Sequence, residues 1–373
     1  MATWRRLQGL FPGTSVDLYR IDTTLNRPSI CPSGSRTEVG AILCKDRTVT
    51  RVANPHYDPA SVPPVDRTAR AFHASLRGYE PTPVRGLAAA AEELGLAALL
   101  VKDESRRLGL PAFKILGASW AVERTCRERA DVHTLVAASA GNHGRAVAHA
   151  AKLRGLSCRV YLPARSLTVR REAIASEGAE VIVVDGTYED AVTLASAAGL
   201  EPGVATIADV GDSGPAEWVI DGYATLFDEA MEQARFDTIV VPVGVGSLAA
   251  AAVRLGAEAG VEVIGVEPTT AACLAESLAA DRRVTIPTPG TIMAGLDCAE
   301  VSAAAWPSLR NGITATVAVT DAQVREAMAE LAAFGLTIGE SGAAPFAAAR
   351  LGVCRTGSRV LLVASEGLTA VSP

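Results

Sequence analysis

Apolar and polar positions change rhythm along this chain near residue 65. Before that point no period is sustained. Pro, Gly, Ser and Thr recur, as in Pro28-Ser29-Ile30-Cys31-Pro32-Ser33-Gly34-Ser35 and Ser61-Val62-Pro63-Pro64. Such composition predicts an irregular N-terminal arm over residues 1–65, with short strands, packed on the body of the protein or on a neighbouring subunit. A helix is predicted over 66–76. Tyr79-Glu80-Pro81-Thr82-Pro83 reads as a rigid extended turn, because each proline restricts the residue before it. From Leu87 onward, short apolar runs alternate with amphipathic stretches. The runs predict strands over 97–101, 133–138, 158–162, 180–184, 238–243, 261–267 and 360–364. Helices are predicted over 87–93, 114–129, 143–153, 167–177, 188–198, 216–232, 247–258, 270–279, 321–334 and 342–351. Residues 199–215 read as a loop around Asp209.

Short apolar strands alternating with helices imply parallel sheets covered on both faces. The units are too many for one small sheet and show no clean barrel repeat. The expected fold is therefore α/β, with two doubly wound parallel sheets and a ligand between them. Ligands in such folds sit at the carboxyl ends of the strands.

Composition narrows the partners. The chain has 373 residues, 49% of them hydrophobic and 20% charged, which is enough for two domains and a large core. A formal net charge of -6 leaves no basic footprint for nucleic acid and no polybasic membrane signal. No apolar run reaches membrane-spanning length, and Met1-Ala2-Thr3-Trp4-Arg5-Arg6 lacks the apolar core of a signal peptide. Seven dispersed cysteines, with no C-x-x-C pair, read as reduced thiols in a cytoplasmic protein. Five histidines show no metal-ligand spacing.

Three junctions carry chemistry. Lys114 stands in apolar company, between Phe113 and Ile115-Leu116, with Gly117 and Ala118 slimming the next turn. Desolvation disfavours an ammonium, so such a lysine suits Schiff-base chemistry. The same neighbours would also suit a lysine that snorkels over a hydrophobic face. Val243-Gly244-Val245-Gly246-Ser247 joins a strand to a helix. Its glycines can turn backbone N–H groups toward an anion, the helix N-terminus adds partial positive charge, and Ser247 can cap it. It is neither a Walker loop nor a full dinucleotide fingerprint, since Ala249 takes the third glycine's place. Ser139-Ala140-Gly141-Asn142-His143-Gly144, at a second junction, clusters N–H groups and small polar side chains fit for a carboxylate.

Taken together, Ala112-Phe113-Lys114-Ile115-Leu116-Gly117-Ala118, Ser139 to Gly144, Val243 to Ser247 and Ser365-Glu366-Gly367 resemble the fold-type II pyridoxal-phosphate enzymes. That group includes serine/threonine dehydratases and the tryptophan synthase β relatives. Longer strings look like diaminopropionate ammonia-lyase: Lys102-Asp103-Glu104-Ser105-Arg106-Arg107-Leu108-Gly109-Leu110, Gly222-Tyr223-Ala224-Thr225-Leu226-Phe227-Asp228-Glu229-Ala230 and Thr291-Ile292-Met293-Ala294-Gly295-Leu296. The likeness runs from about residue 70 to the C-terminus.

The resemblance implies a tryptophan synthase β-like architecture, with a large cofactor-binding domain over 66–130 and 233–373 and a small domain over 131–232. It implies pyridoxal 5'-phosphate as cofactor, a small amino-acid substrate and a homodimer. Lys114 would form the Schiff base and act as base at Cα. Phe113, Asn142, Gly244, Val245, Gly246, Ser247, Glu340 and Ser365 would line the cofactor. Within that set Asn142 faces the ring hydroxyl and Ser365 the pyridine nitrogen. Ser139, Ala140, Gly141, Asn142 and His143 would receive the substrate carboxylate. Asp209 falls where the ammonia-lyases carry an active-site aspartate. It would bind a β-ammonium or move a proton, or else be a loop aspartate capping a turn.

Two departures bear on substrate. The family's T-D-G-N-H-G has an aspartate where this chain has Ala140, and its E-G-D-T becomes Glu366-Gly367-Leu368-Thr369. Losing the first implies loss of D-isomer handling. Both weaken the case for a dicationic substrate. The implied reaction is α,β-elimination of a small β-substituted amino acid, of the 2,3-diaminopropionate, serine or threonine type. It would pass through an aminoacrylate to a 2-oxo acid and ammonia. The alternative is β-replacement, in which a second nucleophile adds to the aminoacrylate and yields a specialised amino acid.

Overall fold

A computed structural model describes residues 51–368 and, ahead of them, two short strands, β1 (Ile42–Cys44) and β2 (Arg47–Val49), paired antiparallel. Most of the predicted arm thus lies outside the described residues, as do residues 369–373. The remaining strands are β3 (Arg51–Ala53), β4 (Val84–Gly86), β5 (Ala98–Asp103), β6 (Thr134–Ala138), β7 (Ser157–Pro163), β8 (Glu180–Val184), β9 (Val204–Thr206), β10 (Thr238–Pro242), β11 (Glu262–Pro268), β12 (Ala315–Val319) and β13 (Arg359–Ala364).

They form two larger sheets. One has seven strands in the order β3-β12-β11-β10-β13-β5-β4, and the other four in the order β8-β7-β6-β9. The small sheet is parallel throughout. In the large sheet the five central strands are parallel, and β3 and β4 close the two edges antiparallel. Central strands read as unbroken apolar runs because both faces are covered: all five residues of β10 are buried.

Most predicted helices form within a residue or two of their expected limits. Their ends have local causes. A capping box of Thr187 and Asp190 starts Tyr188–Ala198, and one of Thr320 and Gln323 starts Asp321–Ala333. Asp66 Oδ1 accepts from the Thr68 amide at 2.8 Å, so the predicted 66–76 helix begins at Thr68. The predicted 270–279 helix starts late, at Cys273. There the Glu267 carboxylate accepts from the Leu274 and Ala275 amides at 2.7 and 3.0 Å.

β4, β9 and β12 and the helix Trp306–Gly312 had no counterpart in the sequence pattern, whereas β3 is one of the short strands expected of the arm. Of the former, β9 matters most. It sets a three-residue strand beside β6 just ahead of the expected loop around Asp209.

Helix Lys114–Glu128 packs on helix Pro215–Gln233 at unusually close range. A Cβ on Gly222 would lie 2.7 Å from Gly117 Cα and 2.7 Å from the Leu116 carbonyl oxygen. The contact places Tyr223 directly beneath the Lys114 turn. Among the described residues, no helix is long and apolar enough to cross a membrane.

Candidate active site

Every candidate side chain except Glu340, which follows the helix Asp321–Ala333, emerges beyond the carboxyl end of a strand. β5 leads through residues 104–113 to Lys114, which opens its helix. β6 leads to Ser139–His143, and neighbouring β9 leads to Ile207 and Asp209. β10 leads to Val243–Ser247, and neighbouring β13 leads to Ser365 and Glu366. Parallel pairing aligns these ends, so residues far apart in sequence converge.

The centre is Lys114. Its Nζ lies 2.8 Å from Asp209 Oδ2, and 5.6 and 6.0 Å from the ring centroids of Phe113 and Tyr223. Those two rings meet edge-on, 4.7 Å apart. The environment is apolar, as the sequence implied, but its effect on the amine is reversed. Burial pulls Lys114 down, yet the Asp209 carboxylate outweighs it and holds the amine above the ordinary lysine range. Burial would by itself raise Asp209. The Lys114 ammonium hydrogen-bonded to it holds its carboxyl below the usual range. In this state the pair is an ammonium facing a carboxylate.

Asp209 also reaches the glycine turn. Its backbone oxygen accepts from Ser247 Oγ at 3.1 Å, so one residue joins Lys114 to the Val243–Ser247 loop. Gly246 has φ 93°, a left-handed conformation that costs a side chain dearly, and its Cβ would lie 2.5 Å from Leu309 Cδ1. A Cβ on Gly244 would lie 2.5 Å from the Gly295 carbonyl oxygen. The turn feeds the helix Ser247–Ala259, whose first N–H groups have no intrahelical acceptor. An anion of phosphate size is the natural occupant of such a turn.

The other candidates lie around this pair. Ser139 Oγ accepts from the Gly141 amide at 3.2 Å, which folds the loop. Ala140 is half-buried. Asn142 Nδ2 donates to Glu366 Oε2 at 2.5 Å, leaving its second N–H for another acceptor. His143 turns its ring inward: it is 4% exposed, with Nε2 donating to the Ile207 carbonyl at 3.0 Å and Nδ1 3.7 Å from Asp209 Oδ2. What this residue offers a ligand at the loop is therefore its backbone. Ser365 is buried, and its carbonyl accepts from the Phe113 amide at 3.3 Å. Glu340 opens the helix Glu340–Arg350, next to Ser341, whose amide donates to Glu366 Oε1 at 3.1 Å.

Four residues near this centre were given no role from the sequence. Tyr223 underlies Lys114, and burial raises its phenol. Tyr188, at the start of its helix, places its hydroxyl 3.3 Å from the Ala138 carbonyl, and its acidity responds to both Asp209 and Lys114. Glu366, buried and raised by that burial, orients Asn142. Cys298 lies against Gly244, and burial pushes its thiol up to about 12. Among the described residues, no cluster of three or more His, Cys, Asp or Glu is arranged to hold a metal ion.

A family model described as pyridoxal-phosphate dependent enzyme matches residues 76–366. The diaminopropionate ammonia-lyase of Escherichia coli strain K12 is 35% identical over 285 residues, covering 68% of this chain and 72% of the relative. The crystal structure of the Escherichia coli diaminopropionate ammonia lyase with an aminoacrylate-PLP azomethine reaction intermediate aligns with a TM-score of 0.78 at 31% identity, covering 87% of this chain and 95% of that one. The same enzyme in complex with D-serine aligns with a TM-score of 0.78 at 29% identity, again over 87% of this chain and 95% of that one.

Proposed function

The chain belongs to the family of pyridoxal-phosphate dependent enzymes, and from that premise we propose that it is an α,β-eliminating ammonia-lyase. Its substrate would be a small L-amino acid with an amino or hydroxyl leaving group at Cβ, and its products a 2-oxo acid and ammonia. The observation that carries the reading is the linkage through Asp209, whose side chain touches Lys114 while its backbone oxygen holds Ser247 of the glycine turn. Amine and phosphate cup are thereby within one residue's reach, as a covalently anchored phosphorylated aldehyde requires. When bound, the cofactor supplies the electron sink for charge developing at Cα.

The rest is the work of this chain's own residues. Residues 66–130 and 233–373 form the domain that carries the cofactor, and 131–232 the smaller one. The 244–247 backbone would hold the phosphate. The free N–H of Asn142 would be placed to donate to the ring hydroxyl, and Ser365 would offer the ring nitrogen a neutral hydroxyl rather than an acid. The backbone of the 139–143 loop takes the substrate carboxylate. Lys114 removes the Cα proton.

Asp209 changes partner during the cycle. Once the amine of Lys114 is engaged, its carboxylate loses the cation at 2.8 Å and is left to attract a cationic β-substituent. That favours 2,3-diaminopropionate over serine and threonine. With Ala140 in the place of a second acid, one face of Cα lacks a proton acceptor. The test is release of 2-oxo acid from D- and L-serine, D- and L-threonine and both forms of 2,3-diaminopropionate. L-diaminopropionate should react fastest, and its D-form about a hundredfold or more slower, the usual cost of a missing general base. Equal rates for the two forms would refute the handedness, and no product from any of the six would refute the reaction class.

A further inference from the structure

His143 stands behind Asp209, away from the open side of the loop that carries it. Its Nε2 is 3.0 Å from the Ile207 carbonyl oxygen. A carbonyl only accepts, so this nitrogen carries the hydrogen, and in the neutral ring Nδ1 holds a lone pair. Nδ1 is buried without a hydrogen-bond partner. It points at Asp209 Oδ2 from 3.7 Å, and that same oxygen is 2.8 Å from Lys114 Nζ. Leaving a buried polar atom unpaired is costly, so the arrangement calls for a reason. Strand pairing fixes it from both sides. His143 follows β6, and both Ile207 and Asp209 follow the adjacent β9.

We propose that His143 is the proton acceptor behind Asp209: when Lys114 becomes a neutral amine, its proton passes through Asp209 Oδ2 to Nδ1 of His143. The N–H bond of Lys114 breaks and leaves its electron pair on nitrogen. Asp209 gains one proton and loses one. The Nδ1 lone pair forms the new N–H bond. Charge is conserved, because an ammonium beside a carboxylate becomes an imidazolium beside the same carboxylate. No other reactant enters. The groups acting on His143 make this exchange self-consistent. Burial and the Lys114 charge keep its ring neutral at rest, and Asp209 pulls the other way. Discharging Lys114 removes the repulsion and leaves the attraction. Arg145 and His149, on the same helix, are engaged by Glu177 at 2.9 and 2.8 Å and stand apart from this exchange. His143 acts through Asp209 and is a positioning and proton-holding residue. The proposal rests on the reading above only for the event that discharges Lys114.

The test is nitrogen NMR of the full-length chain with labelled histidine, with His143→Gln identifying which of the five histidines is which. In the wild type, His143 should be neutral near pH 7, with its hydrogen on Nε2. In Lys114→Met, whose cation is gone, its pKa should rise by about one to three units, the usual effect of an opposite charge at this range. Loading the wild type with pyridoxal phosphate should move it the same way. A Lys114→Met chain in which His143 titrates within about 0.3 unit of wild type would overturn the proposal, as would a wild-type hydrogen on Nδ1.

A second measurement uses His143→Gln, whose side-chain amide can still donate to Ile207 but lacks the proton-accepting nitrogen. Its covalent capture of pyridoxal phosphate should shift to higher pH. Its kcat should fall at least about tenfold with KM within about twofold. An unchanged pH profile would count against the relay even if the variant were less stable. A wild-type chain that never gains visible absorbance would sink the cofactor reading, and the Lys114→Met comparison would still decide the relay.

Discussion

Asp209 decides the protonation of the site. Burial pulls the central amine toward its neutral form, and the Asp209 carboxylate outweighs that pull and holds it as an ammonium. Replacing Asp209 by Asn removes the charge and keeps the shape. The Lys114 pKa should then fall, and covalent uptake of pyridoxal phosphate should extend to lower pH while turnover drops. Stopped-flow absorbance across pH reads both. At this scale the sequence was legible where a motif surrounds the residue, as for Lys114 and Gly246. Its charge state was not legible, because the group that sets it lies 95 positions away. Tyr188 escaped notice, and Tyr223 and Glu366 were quoted within longer strings without a role, for a similar reason. An isolated tyrosine, or an acid after a serine, looks the same in a core, on a surface or in a site.

Among the elements, the helices Lys114–Glu128 and Pro215–Gln233 set the position of the amine. Their contact at Gly117 and Gly222 leaves no room for a methyl group. Gly222→Ala should destabilise the fold by about 1–3 kcal/mol through overpacking. Chemical denaturation measures that loss, and Lys114 should be displaced from Asp209 as the helices separate. Close by, Lys102, Glu104 and Arg107 form a fully buried network with Glu229, whose carboxylate is 2.7 Å from both Lys102 Nζ and an Arg107 nitrogen. That network ties the β5 end to the helix Pro215–Gln233 and anchors the chain leading to Lys114. The string Lys102-Asp103-Glu104 was conspicuous in sequence, but its pairing with Glu229 was not. Long amphipathic helices and most five-residue apolar strands, β12 excepted, were legible because their periods repeat. β9, with three residues, is too short to show a period, yet it carries Asp209 and Ile207 into the site.

For the molecule as a whole, stability depends on pH through groups buried between elements. His73 is buried, with Nε2 donating to the Leu116 carbonyl at 2.9 Å and Nδ1 2.8 Å from Thr225 Oγ1. Burial, above all, lowers its pKa from 6.5 to about 4. The unfolded chain therefore binds the proton more readily. Its contribution is complete above pH 6.5 and is lost as pH falls through 4, amounting to about 3 kcal/mol at the low end. The Glu229 carboxyl, held near 2 by Arg107 and Lys102 against its own burial, loses its share in a lower window, between 4.5 and 2. His73→Gln should flatten the fall in unfolding free energy between pH 6.5 and 4 and leave the lower window unchanged, as denaturant titrations at several pH values would record. The two-sheet α/β plan was readable from alternating periods. The antiparallel edges β3 and β4 were not, since edge strands of three residues carry little pattern.

The central claim, a covalent anchor at Lys114 for pyridoxal phosphate, can be tested against few competitors. The chain has four lysines: Lys45, Lys102, Lys114 and Lys152. Of these, Lys102 is locked on Glu229. Full-length protein loaded with pyridoxal phosphate, reduced with borohydride and mapped by peptide mass should carry one cofactor per chain, on Lys114, and Lys114→Ala should carry none. A reduced adduct on any other lysine, or none at all on the wild type, would contradict the account.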